Sequence, residues 1–141
     1  MPTKIKYLDD GRGVLYFGEG IVTGEDITNI NRKHFTSVAI MTKNKYGLVD
    51  YSKITQFEIS NSELEIIASQ DLKASEYIPD GIVAIVAKKD LIFGINRMWE
   101  IIVENTGLQW ETMVFRDRED AEDWIREKVK DKFGIDDLTF T

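Results

Sequence analysis

Residues Gly81–Ile102 read GIVAIVAKKDLIFGINRMWEII, and this stretch decides the fold class. Its first half is a continuous run of β-branched and small apolar residues, which is typical of a strand buried on both faces of a parallel sheet. From Asp90, the predicted N-cap, apolar residues recur at helical spacing: Leu91, Ile92, Ile95, Met98, Trp99 and Ile102. A buried strand followed by an amphipathic helix is the repeating unit of an α/β protein.

The same alternation extends toward the N-terminus. "KIKYL" (4–8) and "VLYFGEG" (14–20) predict two strands joined by the Asp-Gly turn of "DDGRG" (9–13), with the glycines at 18 and 20 ending the second strand. Thr23 predicts the start of a first helix. Its predicted buried face consists of Ile27, Ile30, His34, Phe35 and Val38. "YGLVDY" (46–51) predicts a short buried strand.

A second helix is predicted from Asn61 to Tyr77, and its predicted inward residues are Leu64, Ile67, Ala68 and Leu72. "WETMVF" (110–115) predicts the last strand, and Asp117 caps a final helix. The order is therefore β-β-α-β-α-β-α-β-α. It predicts a single α/β domain over 1–141, with a mixed, mostly parallel sheet and helices packed on it. The polar tail 134–141 is predicted to fray or lie on the surface.

The composition excludes several classes of protein. The 141 residues have a net charge of -7 and no cysteine. An acidic chain without a concentrated basic face argues against nucleic-acid binding, and the absence of cysteine excludes disulfides and thiolate metal sites. The single histidine, His34, excludes a His-rich metal site. With no apolar run that could span a membrane and no secretory leader, we expect a cytoplasmic protein without metal or cofactor.

Polar residues follow the predicted parallel strands, where α/β proteins usually bind ligands. Asp50 and Ser52 follow one strand, and Arg116 follows the last. The glycines of "GEGIVTG" (18–24) do not have the spacing of a dinucleotide-binding loop. An enzyme acting through Asp50, Ser52 and His34 is the minority hypothesis, and we expect a protein that is not an enzyme.

Three blocks carry a family resemblance: "YGLVDYSKI" (46–54), "GIVAIVAKKDLIFGINRMWEII" (81–102) and "MVFRDREDAEDWI" (113–125). They resemble the SpoIIAA-like branch of the STAS/SEC14 superfamily, which consists of small bacterial proteins related to anti-sigma-factor antagonists. The resemblance implies a mixed sheet with helices stacked against one side. It also implies two functional precedents. In the antagonists a partner kinase phosphorylates a serine in a D-S-S-G loop, and in SEC14 relatives an apolar cavity holds a lipid.

Glu58-Ile59-Ser60-Asn61 occupies the D-S-S-G position of this pattern and keeps one serine, Ser60. The residues themselves offer another role, because Ser60-x-x-Glu63 is a capping box and Ser62-x-x-Glu65 is a second possible register. A capping hydroxyl contributes about 1 kcal/mol, which is reason enough for a serine here. Both interpretations remain open: a cap alone, or a cap that is also a phosphorylation switch.

Two further groups of residues have alternative interpretations. Arg97 and Arg116 either hold an anionic ligand or form structural salt bridges, Arg97 with a carboxylate near the end of the chain. Four large side chains either line a lipid-like cavity or form plain core: Phe93, Met98, Trp99 and Trp110.

The leading hypothesis is a non-catalytic STAS-like regulatory domain that binds another protein, or a second copy of itself, through the surface 50–62. Phosphorylation at Ser60 or Ser62 would regulate it. The alternative is a carrier or sensor of a small apolar or amphipathic, lipid-like ligand.

Overall fold

A computed structural model describes residues 3–141, which form a five-stranded sheet and five helices. The strands are β1 (Thr3–Leu8), β2 (Gly13–Thr23), β3 (Tyr46–Glu58), β4 (Ile82–Val86) and β5 (Glu111–Phe115). The helices are α1 (Gly24–His34), α2 (Val38–Lys43), α3 (Asn61–Ala74), α4 (Asp90–Thr106) and α5 (Arg118–Phe133). The predicted fold class is confirmed. The short helix α2 is an addition, and Val38, predicted to be buried on the first helix, begins α2 and is 51% exposed.

The strands lie in the sheet in chain order, with β1 antiparallel to β2 and every other pair parallel. Because each crossover moves in the same direction, a constant handedness places α1, α3 and α4 on one face. The implied stacking of all helices against one side is wrong for α5, which packs on the opposite face. Both faces of β4 are apolar, with Val83 and Ile85 on one and Ile82, Ala84 and Val86 on the other, so both need a cover.

Strand β3 is much longer than the predicted segment 46–51. It pairs with both neighbours as far as Asp50 and then continues to Glu58 against β2 alone. The glycines at 18 and 20 do not end β2, because they lie at two register shifts that the paired strands absorb as bulges. Ile54 and Phe57 hold this two-stranded extension in the core, since both are buried.

Helix starts follow the predicted caps with one exception. Thr23 and Asp26 form a complete capping box on α1, and the Asp117 side chain accepts hydrogen bonds from two backbone N–H groups of α5. The prediction that Asp90 caps α4 is wrong, because Lys89 occupies the N-cap position and makes no side-chain cap. Helix α3 ends three residues earlier than predicted.

The C-terminal segment 134–141 is docked rather than loose, which corrects the prediction of a frayed or surface tail. Leu138 and Phe140 are buried in the cluster that α5 forms with the sheet. The carboxylate of Asp9 accepts hydrogen bonds from the backbone N–H groups of Thr139 and Phe140. Two apolar side chains and a buried carboxylate therefore hold a segment whose composition alone indicated a loop.

Within 3–141, every helix is too short or too polar to cross a bilayer.

Candidate functional site

The N-termini of α1 and α3 lie side by side at one end of the sheet, where β2 and β3 finish. The contact is close, because a Cβ atom at Gly24 would collide with the carboxylate of Glu63. Five carboxylates lie on the first two turns of these helices and on the end of β3: Glu25, Asp26, Glu58, Glu63 and Glu65. We call this surface the acidic edge.

Ser60 is the N-cap of α3 and takes part in a complete capping box. Its Oγ accepts a hydrogen bond from the N–H of Glu63 at 3.2 Å, and Glu63 Oε1 accepts one from the N–H of Ser60 at 3.0 Å. The Ser62 hydroxyl lies 3.2 Å from that of Ser60, and both side chains are exposed. The structure thus confirms the capping role of Ser60 and leaves both hydroxyls at the surface of the acidic edge.

Asp50 and Ser52 form a local pair on the face of the sheet that α5 covers. The buried carboxylate of Asp50 accepts hydrogen bonds from the N–H and Oγ of Ser52, at 3.0 and 2.6 Å, and lies 3.4 Å from Arg118 Nη1. His34 lies on the opposite face, where its Nδ1 is 3.1 Å from the hydroxyl of Tyr7. These residues therefore do not come together, and the catalytic hypothesis that joined them has no common site.

The two candidate arginines are both paired with carboxylates. Arg116 Nη1 donates to Asp90 Oδ1 and to the carbonyl oxygen of Lys88, both at 2.8 Å. Its guanidinium lies 4.0 Å above the ring of Phe93, so this arginine joins the end of β5 to the start of α4. Arg97 pairs at 3.0 Å with Glu100, one turn along the same helix, and not with a carboxylate near the chain end.

A cavity of about 90 Å³ lies between the sheet and the helices α1, α3 and α4. Of the four predicted lining residues, Trp99 and Trp110 line it. Phe93 lies beneath Arg116, and Met98 is 44% exposed on the outer side of α4, so neither contributes to the wall. Most of the wall is aliphatic or aromatic, and its polar members are few.

Two buried polar groups on the cavity wall have no hydrogen-bond partner among residues 3–141. The carboxylate of Asp71, which is 7% exposed, makes none of the side-chain hydrogen bonds or ion pairs of the structure. The indole Nε1 of Trp99 is also without an acceptor. Native proteins rarely leave such groups unpaired, so this pair marks the cavity as more than a packing defect.

Burial sets the protonation of the cavity groups. It raises the pKa of Asp71 to about 8 and lowers the pKa of His34 to about 4. The pKa values of Tyr16 and Tyr51, which also line the cavity, are raised above the ordinary tyrosine value, again first by burial. At neutral pH the groups of the cavity wall are therefore mostly uncharged, with the carboxyl group of Asp71 mainly protonated.

The sequence prediction missed Asp71 and placed Leu72 inward instead. Leu72 is 37% exposed, whereas Asp71 is buried with Leu64, Ile67, Ala68 and Ala74. The signal was available in the helical period. Position 71 lies seven residues after Leu64, which is two turns along the same stripe. A carboxylate on an apolar stripe is the pattern that could have identified this residue.

The fold is similar to that of two solved structures. One is an uncharacterised DUF3478-family protein with a SpoIIAA-like fold from Shewanella loihica PV-4, with a TM-score of 0.54 and 21% identity over 87% of this chain and 91% of that one. The other is the anti-sigma factor antagonist SpoIIAA in its unphosphorylated form, with a TM-score of 0.52 and 10% identity over 88% and 97%. No family model matches the chain, and no curated protein matches it. The chain therefore has a SpoIIAA-like fold, as its sequence resemblance predicts.

Proposed function

We propose that the protein is a non-catalytic regulatory domain of the cytoplasm that acts by binding another protein through the acidic edge. The supporting observation is the fold shared with an anti-sigma factor antagonist, a regulatory protein. The charge of the acidic edge indicates what kind of partner surface would fit it. Its carboxylates favour a partner with a basic contact surface, because complementary charge speeds encounter and selects the correct partner.

Phosphorylation of Ser60 or Ser62 is the regulatory step of this proposal. Both hydroxyls are exposed, and a phosphate at the start of α3 would lie at the positive end of the helix dipole. It would also add negative charge beside Glu58 and Glu63. The modification would therefore change the charge of the contact surface without rebuilding the fold.

The first prediction concerns the charge of the acidic edge. The double substitution Glu58→Gln and Glu65→Gln removes two exposed carboxylates that take no part in a capping box. We expect about tenfold less partner recovered in an affinity pull-down from native cells, which corresponds to about 1.4 kcal/mol of binding free energy. The matched control, Glu127→Gln with Asp131→Asn, removes the same charge from an exposed part of α5. Equal recovery with both double variants would reject the acidic edge as the contact surface.

A second candidate function is a carrier or sensor of a small apolar or amphipathic ligand, and the cavity under α1, α3 and α4 favours it. Intact-mass spectrometry of protein purified from native cells tests this role. We expect a mass excess under native conditions that is lost on denaturation. An excess of one phosphate that survives denaturation and maps to Ser60 or Ser62 would instead support the switch. A protein without any excess under native conditions would count against the carrier.

A further inference from the structure

We propose that the cavity is a binding site for a small organic cation, in which the carboxylate of Asp71 pairs with an ammonium group and aromatic side chains surround its alkyl part. This inference rests on the carrier or sensor role and names the chemical class of the ligand. It is carried by the cavity, by its one acidic group and by the absence of a hydrogen-bond partner for that group among residues 3–141.

The first step is the missing partner of Asp71. The carboxyl group of Asp71 is 7% exposed, and ionising it in a mostly apolar wall is costly unless a donor or a counter-charge faces it. The hydroxyl groups of Tyr16 and Tyr51 and the indole Nε1 of Trp99 also line the cavity, but none of them donates to Asp71 in the described part of the chain. The side chains of Asn31, Asn96 and Trp110 all donate to other acceptors, on Gln70, Ile92 and Ile78. A ligand with N–H groups would supply Asp71 with the hydrogen-bond donors that the described part of the chain does not direct at it.

The second step is the sign of the charge. The cavity-lining residues include Asp71 but neither lysine nor arginine. An anion would therefore enter a site without a counter-charge and beside a carboxylate, whereas a cation would meet both a carboxylate and ring faces. Six aromatic side chains suited to cation–π contact line the same space: Tyr16, Phe35, Tyr51, Phe57, Trp99 and Trp110. The electrostatics of the wall select a cation over an anion.

The third step is size. A cavity of about 150 Å³ holds the six carbon atoms of benzene, so the same density gives room for about four heavy atoms in this one. Isopropylammonium has four, and propan-2-ol has nearly the same shape without the charge. These two compounds are therefore a matched pair of probes, one cationic and one neutral.

The fourth step is the pH dependence that the site must show. Burial raises the pKa of Asp71 to about 8, so below that pH a bound cation must displace a proton. The other titratable groups that face the cavity do not change charge between pH 6 and 9. The pKa of His34 on α1 is lowered to about 4, those of Tyr16 on β2 and Tyr51 on β3 are raised, and α4 contributes only Asn96 and Trp99. Alkylammonium ions, like lysine with its pKa of about 10.4, stay charged in this range.

The experiment is a titration of the whole chain with each probe at pH 6 and pH 9, in phosphate and borate buffers that contain no amine. The Trp99 indole N–H resonance in NMR spectra reports occupancy, because this group lies on the cavity wall. We expect isopropylammonium to bind about 100-fold more tightly at pH 9 than at pH 6, since about 1% of Asp71 is ionised at the lower pH and about 90% at the higher. Asp71→Asn should remove this pH dependence and weaken binding at pH 9 at least tenfold, whereas Asp131→Asn on exposed α5 should match wild type.

The outcomes separate the inference from the role on which it rests. If propan-2-ol binds and isopropylammonium does not, the carrier role stands and the cation site is wrong. If neither probe shifts the Trp99 resonance, both are wrong. An affinity of wild type for isopropylammonium that is equal at pH 6 and pH 9 would also overturn the inference, and this test needs no variant that must fold.

Discussion

Asp71→Asn is expected to make the protein more stable than wild type, by an amount that grows as the pH rises from about 4 to about 8. The unfolded chain releases the Asp71 proton near pH 3.8, whereas burial raises the folded-state pKa to about 8. Between these values the folded state binds the proton that the unfolded state has lost. Wild-type stability therefore falls with rising pH in this window, by about 1.4 kcal/mol per unit from this one group.

The full effect is on the order of 5 kcal/mol, reached near pH 8, because about four pH units separate the two pKa values. Asparagine has the size of aspartate but does not titrate, so the difference between the two proteins isolates Asp71 from every other carboxylate. Urea unfolding at pH 4.5, 6, 7.5 and 9, followed by tryptophan fluorescence in buffers without amines, measures it.

The control for this experiment is Asp131→Asn, which removes an exposed carboxylate on α5. Its stability difference from wild type should stay within about 0.5 kcal/mol across the same pH range. A difference between Asp71→Asn and wild type that is the same at pH 4.5 and pH 9 would contradict the raised pKa. Addition of isopropylammonium should narrow the gap at pH 9, because a cation that pairs with Asp71 stabilises only the folded wild type.

The alternation of strands and helices was predictable because each element has its own spacing of apolar residues along the chain. A β-branched run and a helical stripe need only their own residues to be recognised, and the capping boxes at Thr23 and Ser60 are equally local. This order predicts an α/β domain with a mostly parallel sheet, since parallel strands joined by helices admit few arrangements, whereas the SpoIIAA-like fold was expected from the resemblance of three sequence blocks. The same locality explains why the exposed serines of the acidic edge were found from the sequence.

What the sequence analysis missed depends on contacts between distant segments. Strand β3 continues past Asp50 only because β2 is present to pair with it, and polar residues in that stretch indicated a loop instead. Asp90 does not cap α4 but pairs with Arg116, which directly follows β5. The helical period places Asp71 on the buried stripe of α3, but only the sheet and the helices α1 and α4 make the cavity that its carboxylate lines. The candidate ligand site therefore becomes visible only in three dimensions.

The second substitution that we expect to change the stability strongly is at Asp9. Its buried carboxylate joins the first turn of the chain to its last residues. Oδ1 accepts hydrogen bonds from the N–H and Oγ1 of Thr139, and Oδ2 accepts them from the hydroxyl of Tyr46 at 2.6 Å and the N–H of Phe140 at 3.1 Å. Burial would raise the pKa of Asp9, but these hydrogen bonds outweigh it and lower the pKa below the ordinary value. The stabilisation by Asp9 is therefore present above about pH 4 and is lost as the pH falls through its lowered pKa.

Asp9→Asn is expected to lower the free energy of unfolding by roughly 3–4 kcal/mol at pH 7. Asparagine places an NH₂ group where one carboxylate oxygen accepts from two donors, so these donors lose their acceptor, at about 1–3 kcal/mol each. Asp10→Asn is the matched control, because Asp10 shares the left-handed backbone of Asp9, with φ of 58° against 51°, but its side chain is exposed. Urea unfolding should place this control within about 0.5 kcal/mol of wild type.

Amide hydrogen exchange at Thr139 and Phe140 should accelerate in Asp9→Asn alone, because the tail loses its anchor before the sheet unfolds. Equal stability and equal exchange in the two variants would mean that Leu138 and Phe140 hold the tail by apolar contact alone.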